Sequence, residues 1–226
     1  MKHTVLFKSA FCLLLVASMS VVVFNACKSK KKITNSKEEM TEIVQATDTT
    51  DPGVVINGVR WATRNVDIPG TFAAKPEDPG MFYQWNRKIA WPTTGSVTDW
   101  DSIIPVGNSW EIANDPSPQG WRVPTFKEII IKLLDDKRVT NEWTVLNGVN
   151  GRKFTDKATG NSLFLPAVGY RGDDGTLINT GTGGDYWSST VFFVANYVYG
   201  LGFWDSKTIC NGYEYRAGRS IRCVTE

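Results

Sequence analysis

The 226 residues carry 25 lysines and arginines against 23 aspartates and glutamates, and so even a balance lacks the overall positive charge that phosphate-backbone binding draws on, so no nucleic-acid partner is expected. Hydrophobic residues make up 42% of the chain, enough for a globular core, so a wholly disordered protein is excluded as well.

The chain opens with Lys2 and Lys8 around the start of an apolar run, "SAFCLLLVASMSVVVF", and then "FNAC". That order reads as a secretory leader, and Phe24-Asn25-Ala26-Cys27 resembles a bacterial lipobox. Residues 1–26 are expected to be a lipoprotein signal peptide and Cys27 the lipidated residue. Several acyl chains would hold the protein on a membrane, which places it in the cell envelope, at the outer membrane, with the face left open. Cleavage would remove Lys2, Lys8 and His3, leaving 23 basic and 23 acidic residues and no histidine. Residues 27–52 are polar, charged and poor in aromatics, the composition of a disordered tether. Residues 53–226 form one aromatic-rich and glycine-rich domain.

In chain order, "VVINGVRW" predicts a hairpin, because Asn57-Gly58 tolerates the positive φ of a tight turn. "GMFYQWNRKIAW" reads as an aromatic strand, and "PTTGSVTDWDSIIPVGNSWEIANDPSPQG" as a long loop of the kind that carries binding. A helix is expected over 125–136: Thr125 and Glu128 have capping-box spacing, and Phe126, Ile129, Ile130, Leu133 and Leu134 recur with helical period. Short runs broken by Asn147-Gly148 and other turns predict antiparallel sheet to the C-terminus. The expected fold class is therefore α+β.

The stretch "DYWSSTVFFVANYVYGLGF" places Ser188 and Ser189 beside aromatics. A serine nucleophile needs a base, and the processed chain has no histidine and no Ser-x-x-Lys spacing there. The serines are expected in a central strand, with "NYVYGLGF" as its neighbour. No metal is expected, since two cysteines without histidine cannot build a zinc shell. Asp173, Asp174 and Asp185 offer oxygens to calcium, but no EF-hand pattern surrounds them. "RGD" at Arg171-Gly172-Asp173 reads as a turn. Trp91, Trp100, Trp110, Trp143 and Trp204 lie in or beside loops, where flat rings suit sugars and protein interfaces alike.

The segments "NDPSPQGWRVPTFKEI", "LFLPAVGYRGDDGTLINTGTGGDYWSST" and "RSIRCV", with "INGVRWATRNV" and "GMFYQW" ahead of them, resemble the Fibrobacter succinogenes major paralogous domain of bacterial envelope proteins. The resemblance implies a C-type-lectin-like α+β domain, secreted or lipid-anchored. In that family a cysteine commonly stands where this chain has Ser117, which removes the usual partner of Cys223 and leaves a Cys210–Cys223 bridge as the expectation. The function expected is a non-catalytic, lipid-anchored binding or adhesion module without cofactors. It would recognise a glycan or an envelope protein, with Asp173, Asp174, Asp185 and Trp204 as candidate ligand-binding residues. A structural subunit of a surface assembly is the alternative, and a carboxylate-based glycan hydrolase a third reading.

Overall fold

The computed structural model describes residues 49–226; the leader, Cys27 and nearly all of the tether lie outside the described residues. Among the described residues fourteen short strands follow one another. They are β1 (Val54–Ile56), β2 (Val59–Trp61), β3 (Tyr83–Gln84), β4 (Trp121–Arg122), β5 (Val139–Leu146), β6 (Val149–Asp156) and β7 (Ser162–Pro166). Then come β8 (Tyr170–Arg171), β9 (Leu177–Ile178), β10 (Gly183–Val191), β11 (Tyr197–Trp204), β12 (Thr208–Glu214), β13 (Gly218–Arg219) and β14 (Val224–Thr225).

They assemble into four antiparallel sheets, ordered β1-β2-β14-β4, β3-β13-β8-β9, β5-β6-β7 and β10-β11-β12. Two Asn-Gly turns set the registers of β1–β2 and β5–β6: Asn57 and Gly58 have φ of 47° and 82°, Asn147 and Gly148 of 49° and 84°. The expected aromatic strand shrinks to β3 and a single bridge between Phe82 and Trp91. In the β10–β11–β12 sheet the central strand is β11, not the serine-bearing β10, which instead bridges in parallel to Gly169 and Ser220.

The expected α+β, C-type-lectin-like arrangement with a main helix over 125–136 is not what forms. The fold is built of β-sheet and loop, and the segment keeps a short helical run, the α-helical residues Phe126 and Lys127 followed by the π-helical Glu128–Leu133, closed by the Leu134 N–H on the Ile129 carbonyl at 2.9 Å. The capping box itself is present: the Thr125 N–H donates to Glu128 Oε2 at 2.7 Å and the Glu128 N–H to Thr125 Oγ1 at 3.3 Å. Propagation fails for a local reason. Ile129-Ile130-Ile131 are β-branched and stiff against the preceding turn, and the turn at Asp135–Arg138 leaves too few residues to repay nucleation. Ile129 and Leu133 still reach the core, as their spacing predicts.

The core is in two clusters. One gathers Ile56, Trp61, Ile129, Leu133, Phe154, Leu201 and Phe203 with their neighbours. The other gathers Phe72, Tyr83, Trp85, Trp187, Tyr215, Ile221 and Cys223 with theirs. Between them runs 217–225, "AGRSIRCVT", whose backbone bonds to Ala62, Val66, Asp185 and Trp187.

Long loops are held by buried arginines. Arg171 is 1% exposed. It donates to the carbonyls of Pro92 (2.9 and 2.7 Å), Thr94 (3.2 Å), Gly95 (3.0 Å) and Gly175 (2.6 Å). The arginine of "RGD" is thus an internal brace. Trp91 and Trp100 pack on the same loops with ring centroids 4.8 Å apart. Replacing Arg171 with Met should cost about 3–5 kcal/mol, because buried carbonyls lose their donor; urea unfolding monitored by tryptophan fluorescence measures it. Arg171→Lys should recover only part, since one ammonium cannot span four carbonyls.

A second arginine sets an acid limit. Arg122 grips Glu128 with two bonds of 2.9 and 2.7 Å. Burial pushes the Glu128 carboxyl up, but the Arg122 fork and Thr125 outweigh it and hold it below its ordinary 4.5. A depressed carboxylate contributes stability above the unfolded value that is lost as pH falls through the folded one. Stability should therefore drop below about pH 4.5, and Glu128→Gln should flatten that part of the profile.

Candidate functional site

The serines do not form a nucleophile site. Ser188 is fully buried, and its Oγ accepts the Thr190 N–H at 3.2 Å. Ser189 donates from both N–H (2.8 Å) and Oγ (3.3 Å) to the Pro124 carbonyl. Lys207 lies over the Trp204 ring, 5.4 Å from its centroid, engaged with an aromatic face. Among the described residues no three of His, Cys, Asp and Glu converge on a point that could hold a metal.

The four candidate ligand-binding residues are not gathered on one face. Asp173 and Asp174 share the β8–β9 turn, where Asp173 lies 3.5 Å from Arg216 and Asp174 accepts from the Thr176 N–H and Oγ1, both at 2.9 Å. Trp204 is half-buried at the end of β11, and Arg152 donates to its carbonyl at 2.7 Å. Asp185 is interior, 4% exposed, with its Oδ1 3.8 Å from Arg219 Nε. Burial pushes its carboxyl up, and Arg219 and a hydrogen bond from Tyr213 pull against that. Arg219 is itself enclosed by Tyr213, Trp187 and Tyr170 at 4.3, 4.7 and 4.9 Å from the ring centroids. Gly202 makes the pair possible, since a Cβ there would stand 2.2 Å from the Tyr213 hydroxyl. Asp185 thus belongs to the packing of β10 on β13.

The loop tryptophans also turn mostly inward. Trp110 packs edge-on to Trp85 at 5.7 Å and Trp143 to Phe203 at 6.4 Å.

Cys210 and Cys223 are free thiols, so the expected bridge is not formed. Cys210 stands on β12 against the first core cluster, while Cys223 belongs to the second. Burial raises both thiols, Cys210 to about 12 and Cys223 further, which makes them unreactive. Cys223 Sγ lies instead 3.0 Å from Ser117 Oγ, the position where the Fibrobacter family commonly has its cysteine.

An exposed apolar ridge is the surface feature that the strand-and-loop reading passes over. The β10–β11 turn and the 103–106 loop meet across a cleft of about 590 Å³ lined by Ile104, Val106, Phe192, Phe193, Val194 and others. Phe193 is 83% exposed and Val106 89%. Phe192 anchors the turn, stacked beneath Phe193 at 4.1 Å and edge-on to Tyr199 at 4.7 Å. The facing loop is fixed from below. Arg87 pairs with Asp101 and donates to the Ile103 carbonyl at 2.9 Å, and Asn86 Oδ1 accepts the Glu111 N–H at 2.8 Å. The signal in the sequence is "VFFV": a two-residue period cannot send four consecutive apolar side chains into one core.

No protein-family model, curated protein or solved structure matches this chain.

The Ser117–Cys223 contact makes a direct prediction. Ser117→Cys should oxidise to a bridge with Cys223, remove both thiols from a denaturing titration and raise stability by about 2–4 kcal/mol. Reductant should abolish the gain. In the parent, Cys210 and Cys223 should both alkylate after unfolding, and two protected sulfurs there would contradict the structure.

Proposed function

We propose that the protein is a non-catalytic, lipid-anchored binding module of the cell envelope that captures an envelope protein through the apolar ridge at Phe193 and Val106. The observation that carries this reading is the exposure of large apolar side chains on two loops braced in place. Such patches mark interaction surfaces, and preformed loops bind without a large ordering cost. The serines and cysteines are internal, which supports a role in binding and not in covalent catalysis. Membership of the Fibrobacter paralogous family is part of the proposal, supported by the approach of Ser117 to Cys223, where the family's usual cysteine pair would meet. Lipidation at Cys27 and residence at the outer membrane rest on the "FNAC" sequence.

Crosslinking of the full chain in native membranes should yield a discrete partner band. Burying one such side chain contributes roughly 1.5–3 kcal/mol, so Phe193→Ser with Val106→Ser should weaken capture at least tenfold while the melting temperature holds. Capture unchanged in this double variant would overturn the ridge as the site. Loss through Asp174→Ala or Trp204→Ala instead would place a glycan on those residues. A band of exactly two copies of the chain, growing with its concentration, would favour the structural-subunit reading.

A further inference from the structure

A second cleft, sharing no lining residue with the ridge, is built of different chemistry. It measures about 550 Å³ and is lined by Asn57, Gly58, Lys132, Lys137, Arg138, Asp156, Lys157 and Ala158. Four basic residues from three separate segments therefore line one space. They come from the π-helical turn, the turn before β5 and the turn after β6. Elsewhere the domain pairs many of its cations: Arg64, Arg87, Arg122, Lys153 and Arg216 each lie within 3.1 Å of a carboxylate. Here pairing is sparse. Arg138 approaches Asp135 only to 3.8 Å, and Lys157 Nζ is held by the Asp136 carbonyl at 2.6 Å. Lys132 and Lys137 form no ion pair among the described residues.

The one lining carboxylate offsets part of that charge and is engaged by the backbone. Asp156 accepts backbone N–H groups of Asn57 (2.7 Å), Ala158 (2.8 Å) and Thr159 (3.1 Å), and these bonds hold its carboxyl below the ordinary aspartate range. Its negative charge is directed at the turns that frame the cleft. The walls are cross-braced: Asn57 Nδ2 donates to the Lys132 carbonyl at 3.0 Å, and the Lys157 N–H to the Arg138 carbonyl at 2.8 Å. Over the hairpin tip there is room, since a Cβ added at Gly58 would meet nothing within 4 Å.

We propose that this cleft binds a phosphate monoester carried on a small polyol or sugar. Like charges held together by fixed turns are unfavourable until an anion enters, and a compact dianion gains most from them. Lysines act as point charges toward phosphate and Arg138 adds a fork. The volume falls within the range of small-ligand pockets and leaves space beside the phosphate for its carrier. Such a group is offered by a phosphorylated sugar or by a lipid headgroup, and the two are separable by probe.

The test is calorimetric titration of the full chain, solubilised in a neutral detergent, with glucose 1-phosphate, glycerol 3-phosphate and glucose at low salt. Saturable binding of at least one phosphate probe is expected, with none for glucose. A preference for glucose 1-phosphate names a phosphosugar as the source, and one for glycerol 3-phosphate a lipid headgroup. Lys132→Gln with Lys137→Gln should weaken binding at least tenfold with the melting temperature unchanged, because both side chains reach solvent. Lys75→Gln with Lys207→Gln, which removes the same charge elsewhere, should change binding less than twofold. Absence of binding by both phosphate probes overturns the proposal. So does equal binding by the Lys132/Lys137 variant and the parent, or an equal loss in the two double variants. None of these outcomes bears on the apolar ridge.

Discussion

The fold depends on guanidinium groups placed where a helical protein would place helix backbone. A chain dominated by short strands and long loops leaves many carbonyls without a ladder partner, and each buried one must still be met. Arg171 meets those of two loops at once, and Arg222, 1% exposed, reaches Asn65 Oδ1 at 3.0 Å and the Ala62 carbonyl at 3.3 Å. Charge is retained inside because carbonyl dipoles and aromatic faces stand in for water. Arg171 has only carbonyls about it, whereas Arg219 has a carboxylate and three rings.

That economy explains the surface. Loops fixed from within need not bury their outward side chains to stay ordered, so the ridge can expose phenylalanine and valine without collapsing. The same holds for the basic cleft, whose walls are tied by backbone and amide hydrogen bonds, by the Asp156 carboxylate and by the Lys157 ammonium on the Asp136 carbonyl. One cleft is apolar and the other lined by basic residues, and they share no lining residue.

Much of this was legible in the chain, for reasons tied to particular residues. Both Asn-Gly hairpins follow from the conformational preference of two residues, and the capping box at Thr125 and Glu128 is local chemistry that forms as its spacing dictates. The helix it should start was not predictable from period alone, because three successive isoleucines satisfy the apolar pattern while opposing the backbone conformation. The interior place of Asp185 is hidden for a related reason: its neighbours in sequence, Gly183 and Gly184, resemble a loop, but Gly184 leaves room for the Phe203 ring across the strand and Gly183 for Trp204. Arg219, which fixes that aspartate inside, is 34 residues away. Clefts assembled from three segments, such as the one between Lys132, Lys137 and Lys157, leave no mark in any single window of sequence.

The place of β14 bears on how the chain reaches this state. In the first sheet Val224 sits between Trp61 and Arg122, so the opening hairpin gains its second neighbour only when a strand some 160 residues later arrives. Pairings of such sequence separation make for slow folding, since loop closure comes before any reward. Until β14 docks, one edge of β2 has no ladder partner, and the closing of the first sheet is set by the last of the described strands.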